Sequence, residues 1–164
     1  MTTPSPVPTS SASDGRWKIA YVPSGSAKSV AILAGGTTKD LTYSFTDGGF
    51  KPAATQAAVE DKRLTLVQNL TQPGKVTPSL DVQYVDSTDA ASAAAVLLAG
   101  TSGFIVVRRG IDNATDWTIG QKVDIYTIVA GVAIPDAPVE NGRDTISQGI
   151  YLTAPVQYGV TLVA

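Results

Sequence analysis

The chain contains no cysteine and no histidine. The first absence excludes a disulfide framework and thiolate chemistry. The second removes the commonest general base and the commonest metal ligand together. Charge is scarce as well: 16% of the residues are charged against 43% hydrophobic, where ordinary soluble domains carry about 25% charged residues. Ala, Thr, Ser, Gly and Val take over the surface. That pattern fits a chain whose surface is partly meant for other copies of itself; a Ser/Thr-rich extracellular β-protein is the plainer alternative. No strongly basic stretch argues for specific nucleic-acid binding, and the net charge is -2. Nor is any apolar run long enough to cross a membrane, since residues 125–134 are too few and contain Thr127 and Gly131. Met1 is followed by Thr and Pro without a basic or an apolar leader region, so no signal peptide is expected. Asn69-Leu70-Thr71 and Asn113-Ala114-Thr115 match the glycosylation pattern and are expected to be unmodified.

The residues that remain offer little chemistry. A Ser-His-Asp triad is impossible, and no Ser-x-x-Lys occurs. Gly35-Gly36 and Gly48-Gly49 lack the GxxxxGK[ST] spacing of a phosphate loop. Paired carboxylates for glycoside hydrolysis are set by spatial distance, and nothing in the sequence marks Glu60, Asp61, Asp81 or Asp124 for it. Asp112, Asn113 and Asp116 could approach a calcium ion, but the EF-hand spacing and its terminal Glu are missing. The reading is a non-enzyme without cofactor or metal.

What is present is strand periodicity. The organising stretch is 62–109. Residues 62–70 (KRLTLVQNL) read as a strand, and Thr71 to Lys75 as a turn with type II chemistry at Pro73-Gly74. Residues 79–85 then alternate, with Leu80, Val82 and Tyr84 on one side and Ser79, Asp81 and Gln83 on the other. The hairpin tip, residues 71–78, is expected to project beyond the sheet. Asp86 to Asp89 offer caps for a helix over 88–98, with Ala90, Ala94, Leu97 and Leu98 on one face and Gly100 to end it. Phe104 to Val107 are apolar on both faces, as in a central strand, and Arg108 and Arg109 follow, one to each face. They read as exposed strand-end charges or as inter-subunit salt bridges.

Around this core, residues 16–22 read as a strand, 27–34 as a short helical turn, and 40–46 as a strand with Leu41, Tyr43 and Phe45 aligned. Asp47-Gly48-Gly49 is a turn signal. Residues 50–61 either stand alone or form one long extended run into the next strand. Trp117 is a possible anchor in the 111–120 loop. Residues 121–134 make the longest strand, apolar on both faces after Tyr126, as a sandwich core or a partner-covered face would require. Residues 145–153 and 156–163 supply the last two strands. Residues 1–15, rich in Pro, Ser and Thr, read as a flexible arm that frays or orders against a neighbouring copy, and 16–164 as a single β domain. The fold class is mainly β: a twisted β-sandwich or half-barrel of about seven strands with one short flanking α-helix.

The segment AKSVAILAGGTTKDLT (27–42), then Thr46-Asp47-Gly48-Gly49-Phe50, the 62–85 hairpin, the helix after Tyr84-Val85-Asp86 and the strand at 104–109 together resemble the major tail tube proteins of long-tailed (siphovirus) bacteriophages of actinobacteria. The likeness runs over residues 16–163 in element order, and departs at Val30-Ala31-Ile32, where that family carries an acidic residue. The resemblance implies a virion protein assembled in the host cytoplasm. Six copies would join edge to edge in a ring, and rings would stack through N-terminal arms and a long hairpin. Its partners would be further copies, the tape measure protein and, transiently, viral DNA. Asp81 and Gln83, on the wet face of their strand, would line the lumen. The competing readings are a capsid decoration or tail completion protein and a carbohydrate-binding module; the last would cluster exposed aromatics, whereas Trp17, Tyr43 and Tyr84 read as core-facing.

Overall fold

A computed structural model describes residues 10, 12–65 and 67–164. In chain order the elements are β1 (Trp17–Val22), α1 (Val30–Leu33), β2 (Lys39–Asp40), β3 (Phe45–Asp61), β4 (Leu70–Val85), α2 (Ala93–Val96), β5 (Ser102–Arg109), β6 (Lys122–Pro135), β7 (Thr145–Leu152) and β8 (Gln157–Thr161). All strand pairs are antiparallel, and they build one eight-stranded sheet in the order β2-β1-β5-β6-β7-β4-β3, with β8 pairing the first part of β6. β6 is long enough to hold two partners on the same edge: β8 from Lys122 to Ile125, and β7 from Ile128 onward. The expectation of a mainly β half-barrel with little helix holds.

The sheet curls so that its concave face becomes a core. Ile19, Tyr21, Leu80, Val82, Tyr84, Ile105, Val107, Tyr126, Ile128 and Ile150 meet there, plugged by Leu41 and by Ala93 and Leu97 of the α2 region. A second cluster forms on the opposite face of β1, β5 and β6, where Ala20, Val22, Val106, Val123 and Ile125 are covered by Leu33 of α1, Trp117 and Leu162. β5 is therefore apolar on both sides, as a central strand between β1 and β6 must be. The concave core also contains Gln148, buried on β7. Its amide nitrogen donates to the carbonyls of Leu97 (2.8 Å) and Gly131 (2.7 Å), and its oxygen accepts from the Tyr84 hydroxyl (3.0 Å). These bonds tie the end of α2 and the bend of β6 to β7. Gln148→Leu keeps the volume but strands two buried carbonyls and a phenol, so a loss of about 2–4 kcal/mol is expected. A fall in the urea midpoint at unchanged m-value is the measurement that checks it.

Four local readings are corrected by long-range pairing. The β3–β4 turn lies at 62–69, and Pro73-Gly74 stands inside β4. Gly74 does not have the positive φ that a type II turn needs. Between the pairs Gln56↔Val76 and Ala58↔Pro73, Gly74 and Lys75 oppose Ala57 alone, so the turn signal is spent on a β-bulge, where a strand proline is tolerated. Asp47-Gly48-Gly49 is likewise absorbed as a bulge opposite Gln83; a Cβ on Gly49 would lie 2.2 Å from the Gln83 carbonyl oxygen. The expected 40–46 strand is broken: Asp40 ends β2, Phe45 and Thr46 open β3, and Tyr43 between them is 83% exposed, not core-facing. The 88–98 helix is only Ala93–Val96, N-capped by the Ser92 hydroxyl, which accepts from the Ala95 N–H. Leu97 is drawn fully into the core, the Gly100 N–H bonds the Ala130 carbonyl, and Leu98 stays exposed, so the chain leaves the helix to reach the sheet. Such a short helix has no independent stability, and the core contact wins.

Candidate assembly surface

Beside the core, the Arg108 side chain turns to the second face of β5 and is fully buried. Its guanidinium donates to the carbonyls of Asp112 (2.8 Å), Thr115 (2.8 Å) and Asp116 (3.0 Å) and to the Gln121 side-chain oxygen (3.0 Å). The Trp117 ring lies 5.0 Å from it, so the expected loop anchor is present. Arg108 thus holds the 110–121 loop of its own chain; its Nε has no hydrogen-bond partner among the described residues but is buried within the subunit. Arg109, on the other face, pairs with Asp124 at 2.5 Å, again within the subunit. Asp124 in turn accepts from the Gly159 N–H at 2.9 Å, which joins the start of β6 to β8. Within the subunit, Arg108 is bonded to its own loop and Arg109 to Asp124. Their consecutive positions send one to each face, as expected, but both faces are occupied there. The Arg108 cage also answers the calcium idea at Asp112, Asn113 and Asp116: backbone oxygens do converge, on an internal cation. Among the described residues no group of three or more acidic side chains is placed to hold a metal.

The opposite end of the sheet is open. On β4 the Asp81 side chain is exposed, beside Lys51 of β3 and Gly149 of β7. Gln83 is half-buried on the same face, donating to Asp136 (2.8 Å) and accepting from the Thr46 hydroxyl (2.9 Å). Val132, Ile134 and Ser147 line the same shallow depression, with Val132 and Ile134 exposed. The two-sided apolar pattern of β6 is therefore half used inside the subunit. Asp136, just past β6, is a residue the sequence reading passed over; a lone Asp after a strand-ending proline carries no distinguishing pattern. It accepts from Ser147 (2.7 Å), Thr145 (2.7 Å) and Gln83, and these bonds hold its carboxyl below the usual carboxylate range. A depressed folded-state pKa contributes stability above the unfolded value, and that contribution is lost as pH falls through the folded value. Asp136→Asn should therefore be less stable than the parent at neutral pH, with the gap narrowing in acid; paired urea unfolding curves across that range are the check.

The largest surface feature is the distal part of β3 and β4. β7 covers β4 only from Leu80 to Val85, and β3 has no strand on its outer side among the described residues. Residues 53–61 and 70–79 consequently form a two-stranded ribbon, exposed along nearly its whole length. The projecting hairpin expected from the sequence exists, but its tip is at 62–69, with Leu64 and Val67 fully exposed. At the tip Lys62 meets Glu60 and Arg63 meets Asp61, exposed pairs of small energetic value. A bare two-stranded ribbon is marginal in water, and open edges invite another strand. Val59, Leu70 and Val76 on it are about half exposed. A ribbon of this kind is built to be covered.

A family model described as phage tail tube protein matches residues 5–164. The chain belongs to the phage tail tube protein family. It is thus a structural component of the virion tail, and the family is not an enzymatic one. Among solved structures, the tail tube chain is similar in fold to a chain in the cryo-electron microscopy structure of the anti-feeding prophage baseplate, six-fold symmetrised. The TM-score is 0.58 at 10% identity, over 96% of each chain. No curated protein sequence matches it significantly. No helix among the described residues is long and apolar enough to cross a membrane.

Proposed function

We propose that this chain is the repeating subunit of the tail tube: copies join edge to edge into six-membered rings, the rings stack, and the genome leaves through the channel. The observation that carries the proposal is the exposed β3–β4 ribbon, whose edges and faces have no partner among the described residues. Six as the number of copies is supported by the six-fold symmetrised assembly that holds the similar fold. The open face with Asp81 and Gln83 lines the lumen, first around the tape measure protein and then around DNA. A wall for a moving polyanion must not bind phosphates, because counterion release would hold the DNA in place. Six copies at -2 each bring 6 × -2 = -12 to a ring, a repelling balance.

Electron microscopy of the purified protein tests this. Tubes or six-membered rings are the expected result, with Asp81 and Gln83 facing the axis in the reconstruction. Discrete monomers at high concentration, even after prolonged incubation, would turn the reading toward a capsid decoration or tail completion role.

A further inference from the structure

The two ends of the curled sheet approach without closing. β1 and β3 meet along a seam that holds a cleft of about 340 Å³. Its apolar wall is Trp17 and Ile19 from β1 and Phe45 and Phe50 from β3. Trp17 and Phe50 meet edge to face at 6.4 Å, and Phe50 meets Phe45 in the same way at 5.8 Å. All three aromatic residues are half-buried, so ring surface is left in water.

The polar groups of the cleft differ in what they have left to give. The threonine hydroxyls are spent inside the chain: Thr42 donates to Asp40 at 2.5 Å, and Thr46 to the Gln83 side-chain oxygen at 2.9 Å. Asp14 and Asp47 are exposed, one from each side, and neither enters an ion pair among the described residues. Local backbone fixes both. Asp14 sits in a turn where the Arg16 N–H donates to the Ser13 carbonyl at 3.1 Å, and the next carbonyl, that of Gly15, accepts from the Asn113 N–H at 2.8 Å. Asp47 stands in the β3 bulge between Phe45 and Phe50, next to Gly48 at φ +64°. Among the described residues, no cationic side chain lines the cleft. Arg109 stacks on Trp17 at 5.7 Å, but it does not line the cleft and is paired with Asp124.

We propose that the seam is a binding site for a free aliphatic diamine, a short carbon chain with an ammonium group at each end. Charge complementarity selects the sign. Two carboxylates at the mouth of an apolar cleft focus a negative field, which draws cations and turns anions away. Their number matches the two ammonium groups. The aromatic wall selects the body. A ring face attracts a cation within about 6 Å of its centroid, tryptophan best of all, and the carbon chain covers ring surface that water now touches. A metal ion is the poorer fit, since hard cations need many oxygen ligands and this wall is largely carbon. The cleft is built within one subunit, so the site exists whether or not tubes form.

The test is a titration of dilute, unassembled protein with putrescine, a four-carbon diamine, followed by tryptophan emission at matched pH and ionic strength. Trp117 is buried, so the change reports Trp17 at the seam. Expected is a saturable change with a millimolar midpoint, about threefold weaker for butylamine with its single charge. Butanediol, of the same length without charge, should give none. Asp14→Asn with Asp47→Asn should abolish the response, and a thermal melt of that variant shows whether it is folded. Asp14→Lys, which places a cation of the chain's own in the cleft, is the second variant and should abolish it too. An equal response to putrescine and butanediol would reduce the seam to an unselective apolar cleft. That result overturns the proposal, as does the absence of a saturable change or its survival in the folded variants.

Discussion

Replacing residues 54–78 by Asn-Gly yields a subunit that folds normally and forms no tubes. Ala53 and Ser79 are paired across β3 and β4, so a two-residue type I′ turn can join them without disturbing the strands below. The deleted ribbon is exposed on both faces and contributes nothing to either apolar cluster. Stability should therefore stay within about 1 kcal/mol of the parent, the range of surface changes that touch no core. Assembly should be abolished, because the deletion removes the longest unpaired backbone edges and the exposed Val59, Leu64, Val67, Leu70 and Val76. Sedimentation of polymer and a thermal melt on the same preparation read both quantities. Tubes at the parent's concentration would refute the role given to the ribbon, whereas loss of folding would show that the ribbon supports the subunit from within.

Arg108→Met should be among the most destabilising single substitutions in the chain. The methionine fills similar space, but the carbonyls of Asp112, Thr115 and Asp116 and the Gln121 amide oxygen lose their donor in a buried site. Leaving part-buried acceptors without their charged donor typically costs about 1–3 kcal/mol. Trp117 also loses the cation stacked on its ring, so the 110–121 loop loses two anchors in one change. Burial lowers the Arg108 pKa, yet a guanidinium stays charged at every accessible pH, so the effect should not vary with pH across the neutral range. Arg108→Lys should recover less than half of the loss, since a single ammonium cannot reproduce the planar fork that reaches four acceptors. Urea unfolding followed by Trp117 emission measures both variants; a Met variant within 1 kcal/mol of the parent would refute the cage as a structural anchor.

The strands with clean period-two patterns or continuous apolar runs were legible in advance. β1, β5, β6, β7, β8 and the inner half of β4 fall where the sequence puts them. Their side chains meet a core whichever way the sheet is assembled, so local pattern and final environment agree. Two of the misread segments carry strong punctuation. Pro73-Gly74 and Asp47-Gly48-Gly49 have the composition of turns, and each became a bulge because the antiparallel β3–β4 ladder resumes past it and outweighs one local preference. Arg108 was read from its place at a strand end. Nothing in two adjacent arginines tells that a downstream loop will wrap its carbonyls around one of them.

By itself, the sequence determined the class of the protein: no nucleophile-base pair, few charges, alternating strands and a family pattern across nearly the whole chain. Tertiary structure decided where the surface is incomplete. Whether a strand edge is paired depends on which other strand lies beside it. That is a relation between residues far apart in the chain, and no local periodicity encodes it. The position of the hairpin tip, the seam between β1 and β3 and the inward fate of Arg108 all follow from that one fact.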